Sequence, residues 1–211
     1  DGTTIENPID FADLEAFGRN NYDKELFDIE QVINRISNAT LFPDVDLNRN
    51  RIYLLGHSRG GGVSIVKASE NPLVKGVVTW GSIGDMGKTA ADLETWKGDG
   101  VVFVPNARTN QQMPMYYQFV EDYLAQEERY NLQKCCSKLG QSALFIHGTN
   151  DATVPSLYAE KLHSWSSNSK LLLIEDGDHT FGGKHPFTER ELPDDTKKAV
   201  EASIKHFKNI S

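Results

Sequence analysis

Ser58, Asp151 and His179 are far apart in this chain, yet together they are the residue types of acyl transfer. A serine hydroxyl is a poor nucleophile until a base takes its proton. An imidazole base in turn needs a carboxylate to hold its tautomer and stabilise its charged form. Ser58 lies in Gly56-His57-Ser58-Arg59-Gly60, a G-x-S-x-G pattern, after the apolar run Ile52-Tyr53-Leu54-Leu55 and before the small-residue stretch Gly61-Gly62-Val63-Ser64. That context reads as strand, sharp turn and helix, with the serine held out at the apex. The flanking glycines are expected to permit the tight backbone and the close approach of helix to strand. Asp151 follows the apolar run Ala143-Leu144-Phe145-Ile146-His147, and His179 follows Lys170-Leu171-Leu172-Leu173-Ile174. The order is Ser, Asp, His, and each residue sits where a strand gives way to a loop.

Each candidate has a plainer alternative. Ser58 could be a bystander in a glycine-rich turn, Asp151 a cap for the helix that follows, and His179 a loop histidine. Asp85, after the preceding strand, is a rival acid. Asp178 reads as a turn residue. His147 reads as satisfying a local hydrogen bond, and His163, His185 and His206 as surface or helix residues.

The elements that must position these groups follow from periodicity. Leu26, Ile29, Ile33 and Ile36 recur at helical spacing, which predicts a helix from Asp23 to Asn38. The spacing predicts strands at Ile52–Leu55, Val74–Trp80, Ser142–His147 and Lys170–Ile174, with helices at Gly60–Glu70, Ser156–Ser164 and Asp194–Asn209. The unalternating run at Ile52–Leu55 predicts a strand buried on both faces. Strands alternating with helices predict an α/β fold with a mostly parallel sheet wrapped by helices, in one domain over residues 1–211. Residues 85–142 read as an excursion or partial cap, with a short strand at Val101–Val104 and helices at Ala90–Trp96 and Pro114–Arg129. Residues 44–50 read as a polar loop.

The chain resembles the α/β-hydrolase fold family, in particular its dienelactone-hydrolase-like and prolyl-oligopeptidase-like branches. The resemblance rests on Gly56 to Gly60, on His147-Gly148-Thr149-Asn150-Asp151-Ala152-Thr153-Val154-Pro155, and on Gly177-Asp178-His179-Thr180-Phe181. It implies that Ser58 is the nucleophile, Asp151 the orienting acid and His179 the base, and that the backbone N–H of Arg59 is one oxyanion donor. The expected reaction is hydrolysis of a carboxylic ester through an acyl-enzyme, with a peptide bond as the second choice. It needs no metal or organic cofactor. A non-catalytic binding module on the same fold is the reading from a different class. His57, Arg108 and Met113 are the candidates for substrate binding. Arg108 would meet a carboxylate or simply be solvated, and Met113 would line an apolar acyl pocket or simply be core.

One departure stands out. A complete member of that family has several strands before the elbow, and here only one good helix precedes Ile52. The chain is therefore expected to be the C-terminal part of a longer domain, associating with the strands it lacks. An all-apolar elbow strand left as an open edge would invite pairing.

The totals narrow the partners. The chain has 211 residues and a formal charge of −8, with a pI near 5.2. That balance argues against nucleic acid and against an anionic membrane surface, while the resemblance implies a small-molecule ester as the partner. No run reaches the length of a membrane span. The two cysteines, Cys135 and Cys136, are adjacent and form no disulfide framework or metal site, which mildly favours a reducing, cytoplasmic setting. The first residue is not Met, so a missing leader says little about export.

Overall fold

A computed structural model describes residues 2–8, 10–38, 47–89, 91–106, 108–140 and 142–210. In chain order its elements are α1 (Leu14–Gly18), α2 (Tyr22–Ser37), β1 (Ile52–His57), α3 (Arg59–Glu70), β2 (Val74–Trp80), α4 (Leu93–Asp99), β3 (Val101–Asn106), β4 (Gln111–Tyr116), α5 (Gln118–Ala125), α6 (Leu132–Lys138), β5 (Ser142–Gly148), α7 (Leu157–Trp165), β6 (Ser169–Ile174) and α8 (Asp194–Lys208). They form two compact units, Ile29–Met86 with Glu128–Ser211 and Asp1–Asp28 with Gly87–Glu127. The expected loop at residues 44–50 lies partly outside the described residues, at 44–46.

The larger unit is built on a four-stranded sheet in the order β1-β2-β5-β6, with every pair parallel. Its register sets His57, Trp80, Ile146 and Leu172 side by side, so the chain leaves the carboxyl ends of adjacent strands close together. Sheets of this kind gather their sites at that end. Val78, Leu144, Ile146 and Ile174 pack with Phe181 and with Ala199 of α8. Burying such side chains contributes about 1.5–3 kcal/mol each. Trp80 fixes the same helix by donating from its indole N–H to Ser203 Oγ at 3.0 Å.

The helix after the elbow packs on β1 and β2 because its inner face is small. Gly61, Gly62, Val63 and Ser64 are all buried. Lys67, almost wholly buried, places its ammonium 3.0 Å from Glu30 Oε2, and Asn71 Nδ2 donates to the same carboxylate. Those bonds, led by the one from Asn71, hold the Glu30 carboxyl below the usual range. A buried ion needs this kind of multiple satisfaction to be tolerated. Cys135 and Cys136 are free thiols buried on α6, and burial pushes the Cys136 thiol up to about 12.

The expectation for β1 is corrected. Among the described residues it pairs with β2 alone, and Leu55 is 48% exposed. An unbroken apolar run signals burial on both faces only where neighbours flank the strand on both sides. No strand is found among the described residues before Ile52.

The smaller unit holds α1, α4, α5 and the antiparallel ribbon β3–β4. Asp13 caps α1 by accepting from Ala16 N–H at 2.9 Å, a short helix that periodicity does not reveal. Trp96 donates to the Met115 carbonyl at 2.9 Å and stacks on Phe119. A helix running from Pro114 is also corrected: Pro114 lies in β4, opposite Phe103, and the helix starts only at Gln118. Both strands of a two-stranded ribbon are edges, where a residue without an N–H is tolerated. Asn131 caps α6, another helix absent from the sequence reading, by accepting from Lys134 N–H at 3.0 Å. Residues 128–142 of the expected excursion fall in the larger unit.

No helix among the described residues is long and apolar enough to cross a membrane.

Candidate active site

Ser58, Asp151 and His179 all belong to the larger unit. Ser58 has φ 54° and ψ −122°, a backbone conformation that L-residues rarely adopt. Such a residue costs about 1–3 kcal/mol and persists only when its surroundings over-determine it. Here they do. Ser58 N–H donates to the Trp80 carbonyl at 2.9 Å, and its own carbonyl accepts from Gly61 N–H at 3.0 Å and Ile83 N–H at 3.3 Å. The glycine that opens the elbow has a steric reason: a Cβ on Gly56 would lie 2.1 Å from the Gly60 carbonyl oxygen and 2.5 Å from Ser64 Oγ. The expectation that both flanking glycines are needed fails at Gly60, where an added Cβ would meet nothing within 4 Å.

Arg59 is the first residue of α3. Its N–H lies at the positive end of the helix dipole.

The loops after β5 and β6 are joined backbone to backbone. Thr149 N–H donates to the Ile174 carbonyl at 2.9 Å and Asn150 N–H to the Gly177 carbonyl at 3.0 Å. Thr149 Oγ1 also accepts from Asp176 N–H at 2.8 Å. This approach requires glycine at 148, since a Cβ there would sit 2.1 Å from the Gly177 carbonyl oxygen.

Closing those loops brings His179 Nδ1 to 2.7 Å from Asp151 Oδ2. A carboxylate only accepts, so Nδ1 carries the proton and Nε2 keeps the basic lone pair. Asp151 Oδ1 accepts from Val154 N–H at 2.8 Å and Thr153 N–H at 2.9 Å. Burial pushes the Asp151 carboxyl up, but the bonds from Val154, His179 and Thr153 outweigh it and hold the group below its ordinary value. Asp151 thus caps its own turn with one oxygen and meets His179 with the other. The Asp151–His179 pair sits over the end of β2, because a Cβ on Gly81 would lie 3.3 Å from both Asp151 Oδ2 and His179 Nδ1.

His57 reaches the same loop. Its Nε2 donates to the His179 carbonyl at 2.8 Å, and the two rings lie 4.6 Å apart. Desolvation lowers the His57 pKa, against the bond to His179, although the side chain keeps a solvent-exposed face. The elbow and the histidine loop are therefore tied one residue from Ser58.

Two carboxylates of the larger unit take other places. Asp85 is exposed, and His179 takes Asp151 as its carboxylate. Asp178 is a turn residue, as expected, accepting from Thr180 N–H and Gly182 N–H at 2.9 Å. Arg108 and Met113 belong to the smaller unit, where the Arg108 guanidinium lies 5.5 Å over the Phe11 ring and Met113 is 3% exposed. His206 is a helix residue, as expected, on the buried side of α8. His147 does make its local bond, to the Val154 carbonyl, but it also reaches Asp151, a role the sequence reading missed. Its position four residues before the acid was the available signal. No group of three or more His, Cys, Asp or Glu residues is placed to hold a metal ion among the described residues.

No family model matches the sequence, and neither does any curated protein. Solved structures do match. The esterase domain of a Rhodothermus marinus protein is 19% identical, with a TM-score of 0.53 over 79% of this chain and 63% of that one. Est1E from Butyrivibrio proteoclasticus, with ferulic acid bound, is 20% identical, with a TM-score of 0.64 over 91% of this chain and 71% of that one. A monoacylglycerol lipase from Paleococcus ferrophilus is 15% identical, with a TM-score of 0.63 over 90% of this chain and 77% of that one. At these identities the likeness shows the fold, that of the α/β hydrolases. The chain spans under two thirds of the first of these structures.

Proposed function

We propose that this chain carries the catalytic centre of a serine hydrolase that cleaves a carboxylic ester through an acyl-enzyme. The observation that carries the proposal is the 2.7 Å contact of His179 with a sealed Asp151, together with a serine held at φ 54° on a strand-to-helix turn whose neighbour His57 bonds the His179 carbonyl. Ser58 Oγ attacks the ester carbonyl while His179 Nε2 takes its proton. The tetrahedral oxyanion is stabilised by Arg59 N–H at the start of α3. The intermediate collapses, the C–O bond to the alcohol breaks, and His179 returns the proton to that oxygen. Water, deprotonated by His179, then attacks the acyl-serine, releasing the acid and restoring Ser58.

An ester is favoured over a peptide because the structures of like fold include an esterase domain and a lipase. The test is turnover of p-nitrophenyl esters of increasing acyl length by wild type and Ser58→Ala. The expected result is hydrolysis by wild type that falls to background in the variant. Equal turnover by a folded Ser58→Ala protein would remove Ser58 from the mechanism.

A further inference from the structure

We propose that His147 is a positioning residue for Asp151: a second imidazole, buried beneath the acid, that holds its carboxylate toward His179. This rests on the reading of Asp151 as the orienting acid.

His147 is the penultimate residue of β5, and strand alternation turns it to the face opposite Ile146. It is wholly buried. Its Nε2 lies 2.9 Å from the Val154 carbonyl oxygen and 3.2 Å from Asp151 Oδ2. Both are acceptors, so the proton sits on Nε2. Nδ1 is buried with no hydrogen-bond partner among the described residues. An imidazole buried with one nitrogen unsatisfied carries a cost, and the arrangement offers a return for it.

The return comes by two routes. The bond to the Val154 carbonyl fixes the very residue whose N–H donates to Asp151 Oδ1 at 2.8 Å. The same ring N–H places a positive dipole end 3.2 Å from Oδ2, the oxygen that His179 uses. The carboxylate is thus faced by four N–H groups, from Thr153, Val154, His147 and His179. The titratable groups around it are His147 and His179, with His57 beyond.

The test follows the acid midpoint of Asp151 by carboxyl ¹³C NMR, alongside ester kinetics, in wild type, His147→Gln and His147→Leu. Glutamine keeps an N–H donor near the Nε2 position and leucine does not. In His147→Leu the midpoint is expected to rise by about one pH unit, and kcat to fall about tenfold with a smaller change in KM. His147→Gln is expected to stay within about twofold of wild type. Ring ¹⁵N spectra of wild type should show His147 protonated at Nε2. The opposite tautomer, an unmoved midpoint in a folded leucine variant, or equal behaviour of the two variants would overturn the proposal. A midpoint that moves as expected in a chain that turns over no ester would keep the positioning role and reject the hydrolase reading instead.

Discussion

The Asp151 end and the Ser58 end of the candidate site are held in opposite ways. Asp151 follows β5, which is flanked by β2 and β6 and buried along nearly its whole length. Its side chain has no solvent exposure. Ser58 follows β1, which among the described residues has one neighbour and exposes Leu55 and His57. The acid is fixed by charge-assisted bonds from its own turn. Ser58 is fixed by backbone bonds to Trp80, Gly61 and Ile83, and by the His57 tie to the histidine loop. The difference teaches that the hydrogen-bonded part of such a site is specified by short local segments, while the strand before Ser58 is paired on one side only among the described residues.

The largest effect should come from the acid end. Asp151→Asn is expected to lower ester turnover by about 10⁴, because an amide lets Nδ1 give up its proton and favours the wrong tautomer. Asp85→Asn should change turnover by no more than about twofold. A large loss from Asp85→Asn alone would reassign the acid and dissolve the contrast.

Next is a matched pair of glycines. Gly148→Ala should destabilise the fold by about 1–3 kcal/mol, since its Cβ runs into the Gly177 carbonyl. Gly60→Ala, in a helix with open space around it, should stabilise by about 0.5–1 kcal/mol. Denaturant unfolding of both variants decides, and equal destabilisation would contradict the packing described here.

At the nucleophile end, His57→Phe removes the bond to the His179 carbonyl and should lower kcat by about tenfold, whereas His57→Gln, which keeps a donor, should lose less. If both variants match wild type, the elbow does not steady the base.

The smallest effect is on acid stability. The folded-state pKa of Asp151 lies below its unfolded value, so its contribution is present above about pH 4 and is lost as pH falls through the folded pKa. Asp151→Asn should flatten the stability curve in that acid window. An unchanged acid limb would mean that the carboxylate is not held as described.

The same contrast explains what could be read from the residues alone. The strands at Val74–Trp80 and Ser142–His147 and the terminal helix are where periodicity places them, because long apolar runs and an amphipathic face decide them locally. Gly148 stands in a motif that the sequence shows, but its steric reason, the Gly177 carbonyl oxygen 2.1 Å from an added Cβ, arises only where the two loops meet. The exposure of Leu55 was not legible, since an apolar run is silent about how many neighbours its strand has. The strand at Val101–Val104 was legible, but its partner β4 was missed for a related reason: Met113, Met115 and Tyr116 suit a helix or a strand equally, and the choice is made by pairing with Val101 to Val104. His147 reads from the sequence as satisfying a local hydrogen bond, which it does with the Val154 carbonyl. Its reach to Asp151 arises from the turn at Thr153 and Val154, which brings residue 151 back over residue 147.

The most direct measurement is intact mass after treatment with a fluorophosphonate, on wild type and Ser58→Ala. One covalent adduct on wild type and none on the variant is the predicted result, because only an activated Ser58 displaces fluoride. An adduct that persists in Ser58→Ala, or none on a folded wild-type chain, would contradict the proposed Ser58–His179–Asp151 site.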